Sequence, residues 1–138
     1  MMMRMMMKMK ARELSPQQHA RFFYRKGLKE IKAGKCDAAL ESLAEALKLL
    51  KPLAGKAADR LKLKVHLVAG EILVLLHKHI IAETHFKHAL WLAKKLQDEE
   101  SQTLAVGGLL WVSDTLGRSQ AQSKICFAST STSDLLAA

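Results

Sequence analysis

The sequence predicts an all-α fold of antiparallel helical hairpins, five to six helices in all. Three observations carry that prediction. Apolar residues recur at spacings of three and four along most of the chain, which puts them on one face of a helix. Pro16 and Pro52 are the only prolines, so long segments rich in Leu, Ala, Lys and Glu run without a breaker. Four positions in one predicted hairpin also reappear as similar residues 43 positions later, and a fixed period of helical hairpins marks a repeat array.

The first helix is announced by Ser15-Pro16-Gln17-Gln18. Ser15 suits the N-cap, Pro16 the first turn, and Gln18 the reciprocal position of a capping box. Ala20, Phe23, Tyr24, Gly27, Leu28 and Ile31 form its apolar face, and Gly34 is a left-handed stop. Asp37 is the expected cap of the second helix, whose face is Ala39, Leu40, Leu43, Ala46, Leu47 and Leu50. Pro52 and Gly55 end it. A link of about three residues between these helices forces them antiparallel.

A third helix is expected from about Ala57 to Leu76, broken at His77-Lys78-His79 without a glycine or proline. A fourth covers about Ile80 to Leu96, with Ala82, Phe86, Ala89, Leu90 and Ala93 on one side. Asp98, Glu99 and Glu100 suit the positive end of a fifth. That helix carries Leu104, Leu109, Trp111, Val112 and Leu116, with Gly117 as its stop. A weaker helix follows from Gln120 to Phe127. The predicted organisation is a Met-rich basic start over residues 1–14, one helical domain over 15–127, and a disordered Ser/Thr-rich tail over 128–138.

The repeat superimposes Gly27, Ala39, Leu43 and Ala46 on Gly70, Ala82, Phe86 and Ala89. The small residues let paired helices approach, and Leu43 or Phe86 fills the space between hairpins. These positions resemble the tetratricopeptide repeat family, together with Gly34 at the turn and Pro52 one residue late. Glu30 departs from that motif where an apolar residue is usual, and His77 stands where the turn glycine belongs. A third unit is partial, with Gly117 at the turn and Gln122 in place of Ala. The resemblance covers roughly residues 20 to 122. A 43-residue period exceeds the usual ~34 and is similar to the lengthened repeats of the kinesin light chain type. A three-helix bundle of the microtubule-interacting-and-trafficking type is the nearest rival fold.

The resemblance implies a short solenoid that scaffolds protein–protein contacts, with partner-facing positions at Arg21, Tyr24, Leu28 and Lys32 in the first unit. In the second unit they are Lys64, Leu67 and Glu71. Leu28 and Leu67 are equally readable as core. Tyr24 and Leu28 occupy slots that a chaperone-tail carboxylate clamp fills with Lys and Asn, which argues against that ligand. The implied partner is an acidic, partly apolar peptide or helix.

Charge agrees with an acidic partner. The net charge is +9, and residues 1–35 hold ten Lys or Arg against Glu13 and Glu30. Such an end attracts acidic protein, nucleic acid or an anionic membrane, or is simply a solvated face. Nucleic acid is disfavoured, because no aromatic-interleaved binding motif accompanies the charge.

No catalytic constellation is present: no nucleophile elbow, no phosphate loop, no paired carboxylates. Gly107-Gly108 lies inside a helical pattern and reads as a packing device. No enzyme activity and no cofactor are expected. His85 and His88 share a helix, and His77 and His79 flank a turn, yet no partner lies at a zinc spacing, so no metal is predicted. Cys36 and Cys126 make neither a disulfide framework nor a metal motif, which suits a reducing compartment and a cytoplasmic protein. The basic, acid-poor start leaves mitochondrial targeting by residues 1–14 as an alternative. Two or three repeats with a poor end cap point to an oligomer or a part of a larger complex.

Overall fold

Five helices account for nearly all of residues 14–127, the part of the chain that the computed structural model describes. They are α1 (Pro16–Lys32), α2 (Cys36–Leu50), α3 (Lys56–Leu75), α4 (His79–Lys95) and α5 (Glu99–Phe127). This exceeds the three helices of the rival bundle. The readings made for the Met-rich start and the Ser/Thr-rich end fall outside the described residues, save Leu14. Among the described residues no helix is long and apolar enough to cross a membrane.

The first helix begins as its sequence demands. Ser15 Oγ accepts the Gln18 N–H at 3.2 Å, and Gln18 Oε1 accepts the Ser15 N–H at 3.0 Å. The box satisfies one donor at the helix start and one on the cap itself. At the other end the Gly34 N–H donates to the Ile31 carbonyl and the Lys35 N–H to the Glu30 carbonyl. Gly34 takes φ +78° there, the left-handed conformation that this closure requires.

That turn is repeated 43 residues later, atom for atom in its pairing. The His77 N–H donates to Val74, the Lys78 N–H to Leu73, and the Ala82 N–H to Lys78, matching Ala39 to Lys35 in the first turn. His77 adopts φ +60° in the place of Gly34, a conformation costly for a residue with a Cβ. The link from α4 to α5 uses the same closure, with Gln97 at φ +55° and Asp98 donating to Ala93. The link from α2 to α3 is different. It passes Pro52, turns at Gly55 with φ +113°, and is tied down by Lys62 Nζ donating to the Leu53 carbonyl at 2.8 Å.

Two sequence expectations about helix ends are corrected. Asp37 does not cap α2: Lys35 holds the cap position without a side-chain hydrogen bond, and Asp37 lies in the first turn. Gly117 stops nothing. The helix continues through it to Phe127, because a lone exposed glycine costs only about 1 kcal/mol in a helix and no left-handed residue follows. The separate sixth helix and the third hairpin turn are therefore replaced by one long α5.

Packing follows the chain in a repeat-like manner. Helix α1 lies along α2, α3 along α4, and α4 along α5, while α3 also touches α1, α2 and α5. Ala20, Leu43, Leu50, Val65 and Ile72 anchor one buried cluster drawn from α1, α2 and α3. Leu63, Leu92 and Ala105 belong to a second, and Leu73, Phe86 and Val112 to a third. Each large side chain so buried stabilises the fold by roughly 1.5–3 kcal/mol. Helix α3 feeds all three clusters, so it is the spine of the domain.

The seams between helices are built differently in the two hairpins. A Cβ on Gly27 would meet the Leu43 side chain at 3.2 Å, and Val65 belongs to the same buried cluster as Leu43. Forty-three residues on, Phe86 replaces Leu43 and Gly108 replaces Val65. A Cβ on Gly70 or Gly108 would come within 2.8 or 2.6 Å of the Phe86 ring. The larger ring is accommodated by a lost side chain on α5. Along that helix Ala105 and Val112 face the core, whereas Leu104 and Trp111 are more than half exposed. Of the stripe predicted for this helix, Val112 is buried and Leu109 and Leu116 pack against the third cluster, whereas Leu104 and Trp111 face outward and the unpredicted Ala105 faces in.

A cationic groove between two helices

Helices α1 and α3 wall a groove of about 500 Å³ lined by Arg21, Tyr24, Arg25, Leu28, Ala57, Arg60, Leu61 and Lys64. Each wall carries two cations one helical turn apart: Arg21 and Arg25 on α1, Arg60 and Lys64 on α3. Residues four apart on a helix are neighbours, and like charges in that relation cost about 0.2–0.5 kcal/mol per pair. Among the described residues no carboxylate lines the groove. Among the described residues none of the four cations makes an ion pair within 4.0 Å. Arg21 and Lys64 stand at equivalent positions, separated by the 43-residue period.

The floor is apolar. Leu61 is buried, Tyr24 and Leu28 are half-buried, and Tyr24 packs against the first core cluster. Burial, and then the charge of Glu71, push the Tyr24 phenol above its ordinary pKa. The hydroxyl is therefore protonated at neutral pH and offers a donor beside the cations.

A second groove, of about 620 Å³, adjoins this one, since Arg60 and Lys64 line both. Its far side is Leu96, Asp98, Glu99 and Ser101 at the start of α5. Asp98 accepts the Ser101 N–H at 3.1 Å and the Ser101 hydroxyl at 2.8 Å. These hydrogen bonds, with Arg60 contributing, hold its carboxyl below the usual range. Charge thus runs from positive between α1 and α3 to mixed near α5.

Of the positions read from the sequence, Arg21, Tyr24, Leu28 and Lys64 meet in the first groove. Glu71 is exposed on α3 and near enough to Tyr24 to act on its phenol. Lys32 is exposed at the end of α1 and does not line the groove, and Leu67 is half-buried against the second and third core clusters. Arg25 and Arg60 were not singled out by sequence. The i, i+4 pairing of Arg21 with Arg25 and of Arg60 with Lys64 was the available signal.

A second constellation joins α3 to α4. His66 Nδ1 and His85 Nδ1 are 3.0 Å apart, and the His66 and His88 rings stack at 5.0 Å with 17° between planes. Burial, then the charges of His85, His88 and Lys62, push the His66 pKa down to about 3. Burial and His88 lower that of His85 as well. Both are neutral imidazoles at pH 7, one donating to the other. Among the described residues no group of three or more His, Cys, Asp or Glu is arranged to hold a metal ion. His77 and His79 belong to the α3–α4 turn, with ring centroids 6.0 Å apart. Cys36 is a free thiol packed beside the first cluster.

No known protein family, curated protein or solved structure matches this chain.

Proposed function

We propose that this chain is a protein-interaction scaffold that captures an acidic segment of a partner in the groove between α1 and α3. The observation that carries this reading is the concentration around an apolar floor of four cations that, among the described residues, make no ion pair within 4.0 Å. Acidic side chains would neutralise the walls, and apolar ones would rest on Tyr24, Leu28 and Leu61. The resemblance of the hairpins to tetratricopeptide repeats supports the same reading. In a short solenoid of that kind, the first helices of successive hairpins line the inner surface, and α1 and α3 are those helices. The reading assigns binding, with no reaction and no cofactor.

Charge reversal tests it. Arg21→Glu combined with Arg60→Glu should abolish capture of acidic peptides while the helical circular dichroism spectrum stays unchanged. Lys32→Glu, outside the groove, should leave capture intact. Equal loss in both variants would show a diffuse charge effect. Tighter capture of duplex DNA or RNA than of acidic peptide, with affinity falling as a steep power of salt concentration, would move the assignment to nucleic acid.

A further inference from the structure

We infer that the ligand of the α1–α3 groove is a phosphorylated peptide, its phosphate monoester bridging the two cationic walls. This rests on the groove being the binding site, and it specifies the chemistry of the occupant. Three of the four cations, Arg21, Arg25 and Arg60, are arginines. A guanidinium presents a planar fork of donors suited to phosphate, whereas a lysine acts as a point charge.

Count and geometry both favour phosphate over carboxylate. A carboxylate carries one charge and two coplanar oxygens, so one arginine in a bidentate pair neutralises it. A phosphate monoester carries nearly two charges and three acceptor oxygens arranged as a tripod. It can accept from α1 and α3 together. Four cations set as two like-charged pairs, none in an ion pair within 4.0 Å among the described residues, exceed what a single carboxylate neutralises, and the local repulsion is a departure from stable helix design that marks functional sites. The Tyr24 hydroxyl adds a neutral donor beside the cations.

The surroundings favour a peptide as the carrier. Leu28, Ala57 and Leu61 offer a narrow apolar floor for neighbouring side chains. The exposed aromatics Phe22, Trp91 and Trp111 and the exposed Ile80 and Ile81 do not line the groove. Among the described residues the half-buried Tyr24 is the one ring that lines the groove, a poor platform for stacked bases, and none of the exposed large apolar side chains that a bilayer would take up lies there.

The test is fluorescence anisotropy of the full chain with three degenerate peptide libraries. They share flanking positions and fix phosphoserine, serine or glutamate at the centre. The phosphoserine library should bind about tenfold or more tighter than either other library. Arg60→Lys should weaken it several-fold while changing glutamate-library binding less than about twofold. Millimolar inorganic phosphate should compete. Equal binding of the phosphoserine and glutamate libraries, both tighter than serine, overturns the phosphate assignment and leaves the acidic-segment reading standing, whereas equal binding of all three overturns both. No binding by any library overturns both. Tighter binding to phosphatidylinositol-phosphate vesicles than to the phosphoserine library overturns the peptide as carrier. Circular dichroism of each variant verifies that losses are not losses of fold.

Discussion

His66 Nδ1 lies 3.0 Å from His85 Nδ1 across the α3–α4 hairpin, so one imidazole must donate and the other accept. Both rings are held neutral by burial, with His85 and His88 acting on His66 and His88 acting on His85. His88 stacks on His66, and Lys62 adds positive charge on the same helix. The hairpin is therefore closed by a contact that cannot tolerate a second proton.

Acid should loosen this domain before its carboxylates titrate. The folded pKa of His66, about 3, lies below the unfolded value near 6.5. The unfolded chain thus binds the proton first. The contribution of His66 is complete above pH 6.5 and is lost as pH falls from there toward 3. Urea midpoints should correspond to a loss of about 2 kcal/mol between pH 7.5 and 5, and His66→Gln should flatten that slope. An unchanged midpoint between those two pH values would contradict the buried neutral pair.

Gly108→Ala should destabilise although alanine is the better helix former. The added methyl meets a ring that Gly70 confines from another helix, so relief costs about 1–3 kcal/mol against a propensity gain of about 1. Phe86→Leu in the same chain should recover most of the loss. Gly107→Ala, with nothing within 4 Å, should instead stabilise by up to about 1 kcal/mol. Thermal or urea unfolding of the three variants decides between these signs.

His77→Gly should raise stability by about 0.5–1 kcal/mol. The gain is relief of a left-handed conformation that disfavours a Cβ, reduced by the greater freedom of glycine in the unfolded chain. The reverse change, Gly34→His, should cost about 1 kcal/mol at the equivalent turn. Opposite shifts in the unfolding midpoint are the expected result, and shifts of the same sign would break the equivalence of the two turns.

Glu30 and Ser42 should behave as a pair. The Ser42 hydroxyl, 5% exposed, donates to the Glu30 carboxylate across α1 and α2. Glu30→Leu alone strands a buried donor and should cost about 1–2 kcal/mol. Adding Ser42→Ala should restore stability to near the parental value. A double-mutant cycle that closes additively would show the contact to be worth nothing.

These residues also show what was legible in the sequence. The 43-residue period was carried by Gly27, Ala39, Leu43 and Ala46 and their counterparts, and it extends to the hydrogen bonds of both hairpin turns. The turn at His77 carried no glycine or proline; the helical pattern that follows it was what located it. Glu30 looked like a breach of the pattern because its partner Ser42 is twelve residues away on another helix. His66 escaped notice for a similar reason, being nineteen residues from His85 and brought to it by hairpin closure. Gly117 misled because a glycine ends a helix only where the backbone turns left-handed, which composition does not state. In the groove, Arg21, Tyr24, Leu28 and Lys64 came from the resemblance to tetratricopeptide repeats, whereas Arg25 and Arg60 join them as the cations one helical turn from Arg21 and Lys64.

Phe86 is confined by Gly70 of its own hairpin and by Gly108 of the helix beyond it. The helical hairpins of this chain are consequently not interchangeable cassettes. A copy of the first hairpin set in place of the second would bring Leu43 against a helix already hollowed for a ring. A copy of the second in place of the first would drive the ring into Val65. What travels as a unit is the stretch from residue 70 to residue 108, which straddles the boundary between hairpins. Shuffling, duplication or consensus design of this array has to cut within its helices and leave its seams whole.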